Sequence, residues 1–427
     1  MVNSPQRRIA GFGTAPQPGV APLALYVHIP FCETKCPYCD FNTYAGIEAL
    51  MPAYVDALAH EITQWGALLD RPTLGSVFFG GGTPSYIATN DLVRLMRTIV
   101  EVFRLRDDAE VTLEANPSDL TQERVRAMRA AGFNRISVGV QSLDDQELRL
   151  LGRRHTASQA VQAMVAARRA GFDNLSLDLM FGLPYQSEAS WKRTLKGALR
   201  LGTSHVSLYG LTLEPGTPLE ADVRAGRVPE PDPDIAAEMY LHAQEALASA
   251  GYQQYEISNW ARPGHTSRHN LTYWRNRPYL GVGPGAHSYL FANGTPALDG
   301  VGPNGARFAG IPSPRGYMDR VAKWQAPQGP LGGDVLRSAG FLTSVELLDD
   351  AQAMGETMMM GLRLNAGVAN DAFRARFGRS IAEAFPHPVD DCLELGLLEW
   401  HDDSLRLTEY GRLLGNEAFH RFLATPP

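Results

Sequence analysis

The apolar positions of this chain switch repeatedly between two periods. From Ala24 to about Ser258, short β-branched runs alternate with stretches in which apolar residues recur at helical spacing. The runs Leu25–Ile29, Ser76–Gly80, Glu110–Ala115, Arg135–Gln141, Asn174–Phe181 and His205–Leu211 predict strands. Tyr54, Leu58, Ile62 and Trp65 mark the first helix, and Asp91–Phe103, Thr121–Ala131, Ser158–Ala170 and Glu188–Leu201 follow. Gly132, Gly171 and Gly251 each stand just past a helix, where a left-handed cap is common. Such alternation predicts an α/β fold with a parallel sheet and helices outside. Six units are fewer than the eight of a closed barrel, so the expectation is a partial (β/α)6 barrel.

Beyond the alternating region the pattern changes. Residues 293–340 are rich in glycine and proline, carry little periodicity and read as a linker or loop. Helical patterns return from Ser344 to Arg363 and from Asp371 to Phe385, followed by Leu-rich runs near Trp400 and Leu405–Leu414. Helices followed by a short hairpin suggest a small α-rich, winged-helix-like domain over 341–427. Asp390, Asp391, Glu394 and Glu399 argue against DNA as its partner. Met358-Met-Met360 reads most simply as core filler. Residues 1–22 read as a flexible tail, and 23–292 as the barrel with its extension.

Composition narrows the class. The 427 residues carry a net charge of −7, which gives no general case for nucleic-acid binding. No run of about eighteen apolar residues predicts a spanning helix. The tail lacks the apolar core of a signal peptide, so the expected location is the cytoplasm. The glycosylation patterns Asn270-Leu-Thr272 and Asn293-Gly-Thr295 are discounted on the same ground. Of four cysteines, three stand in the run Cys32-Glu-Thr-Lys-Cys36-Pro-Tyr-Cys39. This C-x3-C-x2-C spacing favours an iron–sulfur cubane with one iron left open. Zinc, completed by Cys392 or His28, and ordinary buried thiols stay open as alternatives. Four cysteines in a chain this long are not a disulfide scaffold.

The strand tips continue the theme. After the second strand comes Gly80-Gly81-Gly82-Thr83-Pro84; the third ends near Glu114, the fourth at Gln141, and the fifth carries Asp178. Chemistry in barrels gathers at these C-terminal ends. The cysteine loop, the glycine turn, Val-Gly-Val-Gln141-Ser and Asp178-Leu-Met-Phe-Gly-Leu-Pro184 together resemble the oxygen-independent coproporphyrinogen III oxidase family of radical S-adenosylmethionine (radical SAM) proteins. Within it they look most like the HemW branch of haem chaperones, from about Leu23 to the C-terminus.

The resemblance implies roles. Cys32, Cys36 and Cys39 match ligands of a [4Fe-4S] cluster, and Tyr26, Gly81, Gly82, Thr83 and Glu114 match contacts to S-adenosyl-L-methionine (SAM). Gln141, Arg153 and Asp178 match positions that bind a second SAM in the oxidase. On the residues alone, the triple glycine is equally a tight strand–helix turn, and Arg153-Arg154-His155 a solvated basic turn. Two departures put the oxidase activity in doubt. The oxidase motif adds a cysteine where this chain has Phe41, and the segment that covers the oxidase site is expected to be missing ahead of the first strand.

The run Arg268-His269-Asn270-Leu-Thr-Tyr273-Trp274 matches the H-N-x-x-Y-W motif associated with haem in HemW-like proteins. Imidazole ligates haem iron and aromatic faces suit the macrocycle. The alternative is a structural turn with Tyr273 and Trp274 packed into the barrel, and His265 and His287 are rival ligands. The resemblance therefore implies a haem chaperone that binds cluster, SAM and haem and delivers haem to haem-requiring proteins, membrane-bound respiratory enzymes among them. Transient membrane contact, an electron donor if SAM is cleaved, and a homodimer belong to that expectation. The enzyme alternative is radical decarboxylation of coproporphyrinogen III; a third is a zinc-stabilised docking protein.

Overall fold

The computed structural model describes residues 22–292, 296–298, 300–327 and 329–423. The expected tail and the Asn293-Gly-Thr295 motif lie outside the described residues, apart from residue 22 of the tail. Six parallel strands form the centre: β1 (Leu23–Ile29), β2 (Thr73–Gly81), β3 (Arg104–Ala115), β4 (Arg135–Gln141), β5 (Asn174–Phe181) and β6 (His205–Gly210). They stand side by side in chain order, as strand–helix alternation requires. The strand residues facing the helices are apolar and buried, among them Leu25, Val77, Leu113, Val138, Leu177 and Leu208. The intervening positions face a lumen and are largely polar: Ser76, Glu110, Arg135, Ser137, Asp178 and His205. This period-2 division makes one side of the sheet a hydrophobic core and the other a polar shaft.

The sheet is larger than the periodicity predicts. It holds twelve strands in the order β12-β11-β10-β9-β1-β2-β3-β4-β5-β6-β8-β7. β7 (Gln253–Glu256) and β8 (Asn259–Ala261) add an antiparallel edge beside β6. β9 (Tyr279–Val282) runs parallel to β1, and β10 (His287–Leu290), β11 (Ala306–Gly310) and β12 (Leu342–Leu347) continue antiparallel. The expected 293–340 linker thus supplies β11 and the helices Pro314–Val321 and Gly333–Ser338, and Tyr317, Trp324 and Leu336 from it join the main core. Likewise 344–347 is strand, not helix. The helix there runs over Asp350–Gly361 behind a capping box at Asp349. The large sheet therefore takes in residues up to Leu347.

The C-terminal unit has its own core, built on Met358, Leu362, Phe373, Ile381, Leu405 and Phe422. Its helices Asn370–Phe377, Ile381–Ala384 and Pro386–Glu394 precede a hairpin of Leu398–His401 and Ser404–Leu407. Met358 is fully buried there, as core filler should be. Gly132, Gly171 and Gly251 all have positive φ, at 106°, 87° and 83°, which accounts for glycine at these helix ends. No helix of the described residues is long and apolar enough to cross a membrane.

Candidate functional site

β1 runs straight into the cysteine loop, and the loop closes on itself. Cys32 N–H donates to Tyr44 O at 2.9 Å and Tyr44 N–H to Pro30 O at 2.8 Å. Lys35 Nζ ties the interior through Phe41 O at 3.1 Å. β2 pins the loop from below, with Gly82 N–H on Ile29 O and Thr83 N–H on Phe31 O, both at 2.8 Å. This explains the glycine at position 82. A Cβ there would lie 2.7 Å from Phe31 O, so any side chain pushes the cysteine loop away. Gly82→Ala should therefore misplace Cys32 and destabilise the barrel by about 1–3 kcal/mol. Iron content after anaerobic reconstitution, set beside chemical denaturation, checks this.

The three cysteines are free, half-buried and line one cavity of about 410 Å³ at the strand tips. Burial pushes the Cys32 and Cys39 thiols up, and the Thr83 hydroxyl, 3.5 Å from Cys32 Sγ, opposes this at Cys32. Among the described residues no three Cys, His, Asp or Glu side chains converge where a single ion would sit. A cubane takes each thiolate on a different iron, whereas a lone zinc takes all of them on one, so the cubane does not require the three thiols to meet at one point. The zinc alternative also loses its fourth ligand. Cys392 is fully buried in the C-terminal core. His28 has both ring nitrogens engaged, with Tyr26 Oη at 3.0 Å and Asn42 O at 3.0 Å.

The same cavity collects Gly81, Gly82, Thr83, Glu114, Gln141, Arg153 and Asp178. Glu114 Oε2 accepts the Gly81 N–H at 3.3 Å. Burial, reinforced by the charge of Asp178, raises the Glu114 carboxyl to about 8, while the Gly81 N–H and the Arg135 charge pull it down. Asp178 accepts from Ser137 Oγ at 3.0 Å, and burial raises its carboxyl too. Gln141 adopts a left-handed φ of 65°, which a residue other than glycine rarely does, and its buried Oε1 has no partner. Arg153 is not part of a solvated basic turn. Its guanidinium donates to Gly139 O at 2.8 Å and lies 3.6 Å from Cys36 Sγ. Arg154 pairs with Glu33 and Asp119, and His155 Nε2 is 3.0 Å from Val140 O.

Phe41 stands at the rim, 66% exposed. Tyr26 falls below the cavity floor; its hydroxyl is spent on His28 and it does not line the opening. Arg135 went unrecognised in the sequence as more than a strand start. It is 2% exposed, at the centre of the lumen beneath Glu114 and Asp178. Its signal was a charged residue at a lumen-facing strand position, which only the register makes visible.

The residues expected at haem lie elsewhere. His269 sits on the helix Arg268–Trp274, whose start is gripped by Glu110: its carboxylate accepts the N–H groups of Arg268 at 3.1 Å and His269 at 3.0 Å. The ring is fully buried in the lower lumen and stacks on Phe78 at 5.0 Å. Nδ1 meets Ser76 Oγ and Nε2 meets Tyr273 Oη, each at 2.9 Å. Both ring nitrogens are engaged, and the ring plugs the barrel. Tyr273 serves the plug, whereas Trp274 faces a second cavity away from the cysteines.

A parallel half-barrel with a three-cysteine loop beyond its first strand defines a radical SAM protein. The profile of the Radical SAM superfamily matches residues 26–198, and that of the HemN C-terminal domain residues 348–414. The "Heme chaperone HemW" of Bacillus subtilis is 37% identical over 399 residues, 93% of this chain and 98% of that one. The mitochondrial "Radical S-adenosyl methionine domain-containing protein 1" of Bos taurus is 42% identical over 356 residues, 83% of this chain and 76% of that one. The chain belongs to the HemW family. The solved coproporphyrinogen III oxidase HemN of Escherichia coli shares the fold with a TM-score of 0.77 over 95% of this chain and 91% of that one, at 23% identity. It is thus less similar in sequence than the HemW proteins are. Membership carries the capacity to use SAM and a [4Fe-4S] cluster.

Proposed function

We propose that this chain is a haem chaperone of the radical SAM class: it binds a [4Fe-4S] cluster, SAM and haem, and delivers haem to haem-requiring proteins. Cys32, Cys36 and Cys39 would hold the cluster, since all three open onto one cavity. When bound, such a cluster supplies one-electron reduction of SAM; the protein's share is placement. Glu114 and Asp178, recessed at the strand tips, would accept from the ammonium and ribose hydroxyls of SAM, and Gln141 Oε1 offers a free acceptor.

Phe41 is the observation that favours chaperone over oxidase. It occupies the rim position of the additional oxidase cysteine and can neither ligate metal nor relay a thiol proton. The near full-length similarity to proteins named as haem chaperones supports the same reading. The recipients would include membrane-bound respiratory enzymes, met from the cytoplasm. With SAM, reductant and coproporphyrinogen III under anaerobic conditions, we expect no decarboxylated porphyrinogen. Haem-loaded protein should instead pass haem to an apo-haemoprotein. Repeated turnover, giving more product than protein, would establish the oxidase in place of the chaperone.

A further inference from the structure

A second cavity, of about 1020 Å³, lies between the barrel and the C-terminal unit. Part of its barrel wall comes from Trp274, Arg275 and Arg277, just ahead of β9, whose first residue Tyr279 stands beside Ala24 at the start of β1. The cysteine loop leaves the other end of β1. The two cavities therefore open at opposite ends of the strands.

The lining has a distinct chemistry. Although the chain is acidic overall, Arg275, Arg277 and Arg376 line this cavity and, among the described residues, no Asp or Glu does. Arg275 and Arg277 are exposed, and neither makes an ion pair among the described residues. Arg376 is half-buried and satisfied only by neutral groups, Tyr289 Oη at 2.7 Å and Asn276 O at 3.3 Å. Apolar and aromatic surface makes up much of the rest, with Trp274, Phe291 and Phe373 among it. The buried indole N–H of Trp274 has no hydrogen-bond partner among the described residues. Among the described residues no His, Cys or Met lines the space, so they offer it none of the usual donors for haem iron.

Aromatic walls with uncompensated guanidinium groups at the opening suit a flat apolar body with carboxylates on one edge. Arginine takes carboxylates bidentately, and aromatic faces cover rings. We infer that the interdomain cavity binds a propionate-bearing tetrapyrrole, held by Arg275, Arg277 and Arg376 at its carboxylates and by Trp274 at its face, without ligation of a central metal. This rests on the haem reading above and deepens it. The cargo is carried at the end of the barrel remote from the cluster, so its carriage needs no chemistry from SAM.

The test uses full-length, cluster-loaded protein titrated anaerobically with haem, with metal-free protoporphyrin IX and with the dimethyl ester of protoporphyrin IX. Wild-type protein should bind the first two comparably and the ester about tenfold or more weakly. The Arg275→Ala/Arg277→Ala double variant, altered only at exposed positions, should lose affinity for haem and protoporphyrin by about the same factor. Trp274→Leu should weaken both and change the bound porphyrin's fluorescence. Haem binding that the double variant leaves untouched would overturn this site while sparing the haem reading. Binding of haem without protoporphyrin would also overturn it, since iron ligation would then dominate elsewhere. Failure of wild-type protein to bind any of the three would sink both readings.

Discussion

Anaerobic reconstitution of Cys36→Ser, or of the matching Cys32 or Cys39 variant, should leave almost no bound iron and sulfide, whereas Cys392→Ser should bind both undiminished. The loop is held by its own main chain, through the Phe31–Tyr44 bridge and the contacts to Gly82 and Thr83, so one lost thiolate leaves two ligands on a scaffold that cannot close around the gap. Serine is a poor substitute for a thiolate at iron. Cys392 is fully buried among Phe373, Ile381 and Leu405. Its replacement puts a hydroxyl into apolar surroundings and should cost about 1–3 kcal/mol of stability without touching the cluster. Iron and sulfide analysis with the spectrum of the reduced cluster separates these effects. Adding SAM to the wild-type protein should perturb that spectrum, because three cysteines leave one iron open. Loss of the cluster in Cys392→Ser would restore a four-cysteine site and overturn the open-iron argument.

The cysteine loop was legible because its ligands are local. All three lie within one turn of chain, and no distant residue is needed to see their spacing. The six central strands were legible for a related reason: each buries an apolar face under helices that follow it directly, so the period survives in the sequence. Strands β7 to β12 escaped because they are short, of three to six residues, and β11 and β12 lie among glycine and proline that mask their alternation. The first half of β3 escaped too; Arg104 and Leu105 pair with Thr73 and Leu74 at the start of β2, and the charged run to Asp108 has no partner there before the register resumes at Glu110. The lumen was the least legible part. Glu110 and His269 are far apart in sequence, and only the register that sets Ser76 opposite Glu110 shows that both meet one helix. A motif of His, Tyr and Trp reads as one surface. A short helix instead turns its His inward and its Trp towards another domain.

That division makes His269→Ala a decisive substitution. Removing the ring empties the space over Phe78 and strips partners from the Ser76 and Tyr273 hydroxyls. The expected loss is about 2–4 kcal/mol at pH 7, the sum of a cavity and unpaired buried polar groups. Burial, aided by the Arg135 charge, pulls the wild-type imidazole down to about 3. The unfolded chain takes up a proton near pH 6.5, so the folded state holds its full advantage above that pH and loses it progressively as pH falls towards 3. The variant has no such titration. The stability gap between the two proteins should therefore narrow by about 2 kcal/mol between pH 7 and pH 5. Denaturant titrations at the two pH values read it directly. The loosened helix carries Trp274, so porphyrin affinity should fall, but the Soret maximum of bound haem should stay where it is in the wild type. A shifted Soret band, with stability unchanged, would mean that the ring leaves the lumen to ligate iron and that the plug is not its role.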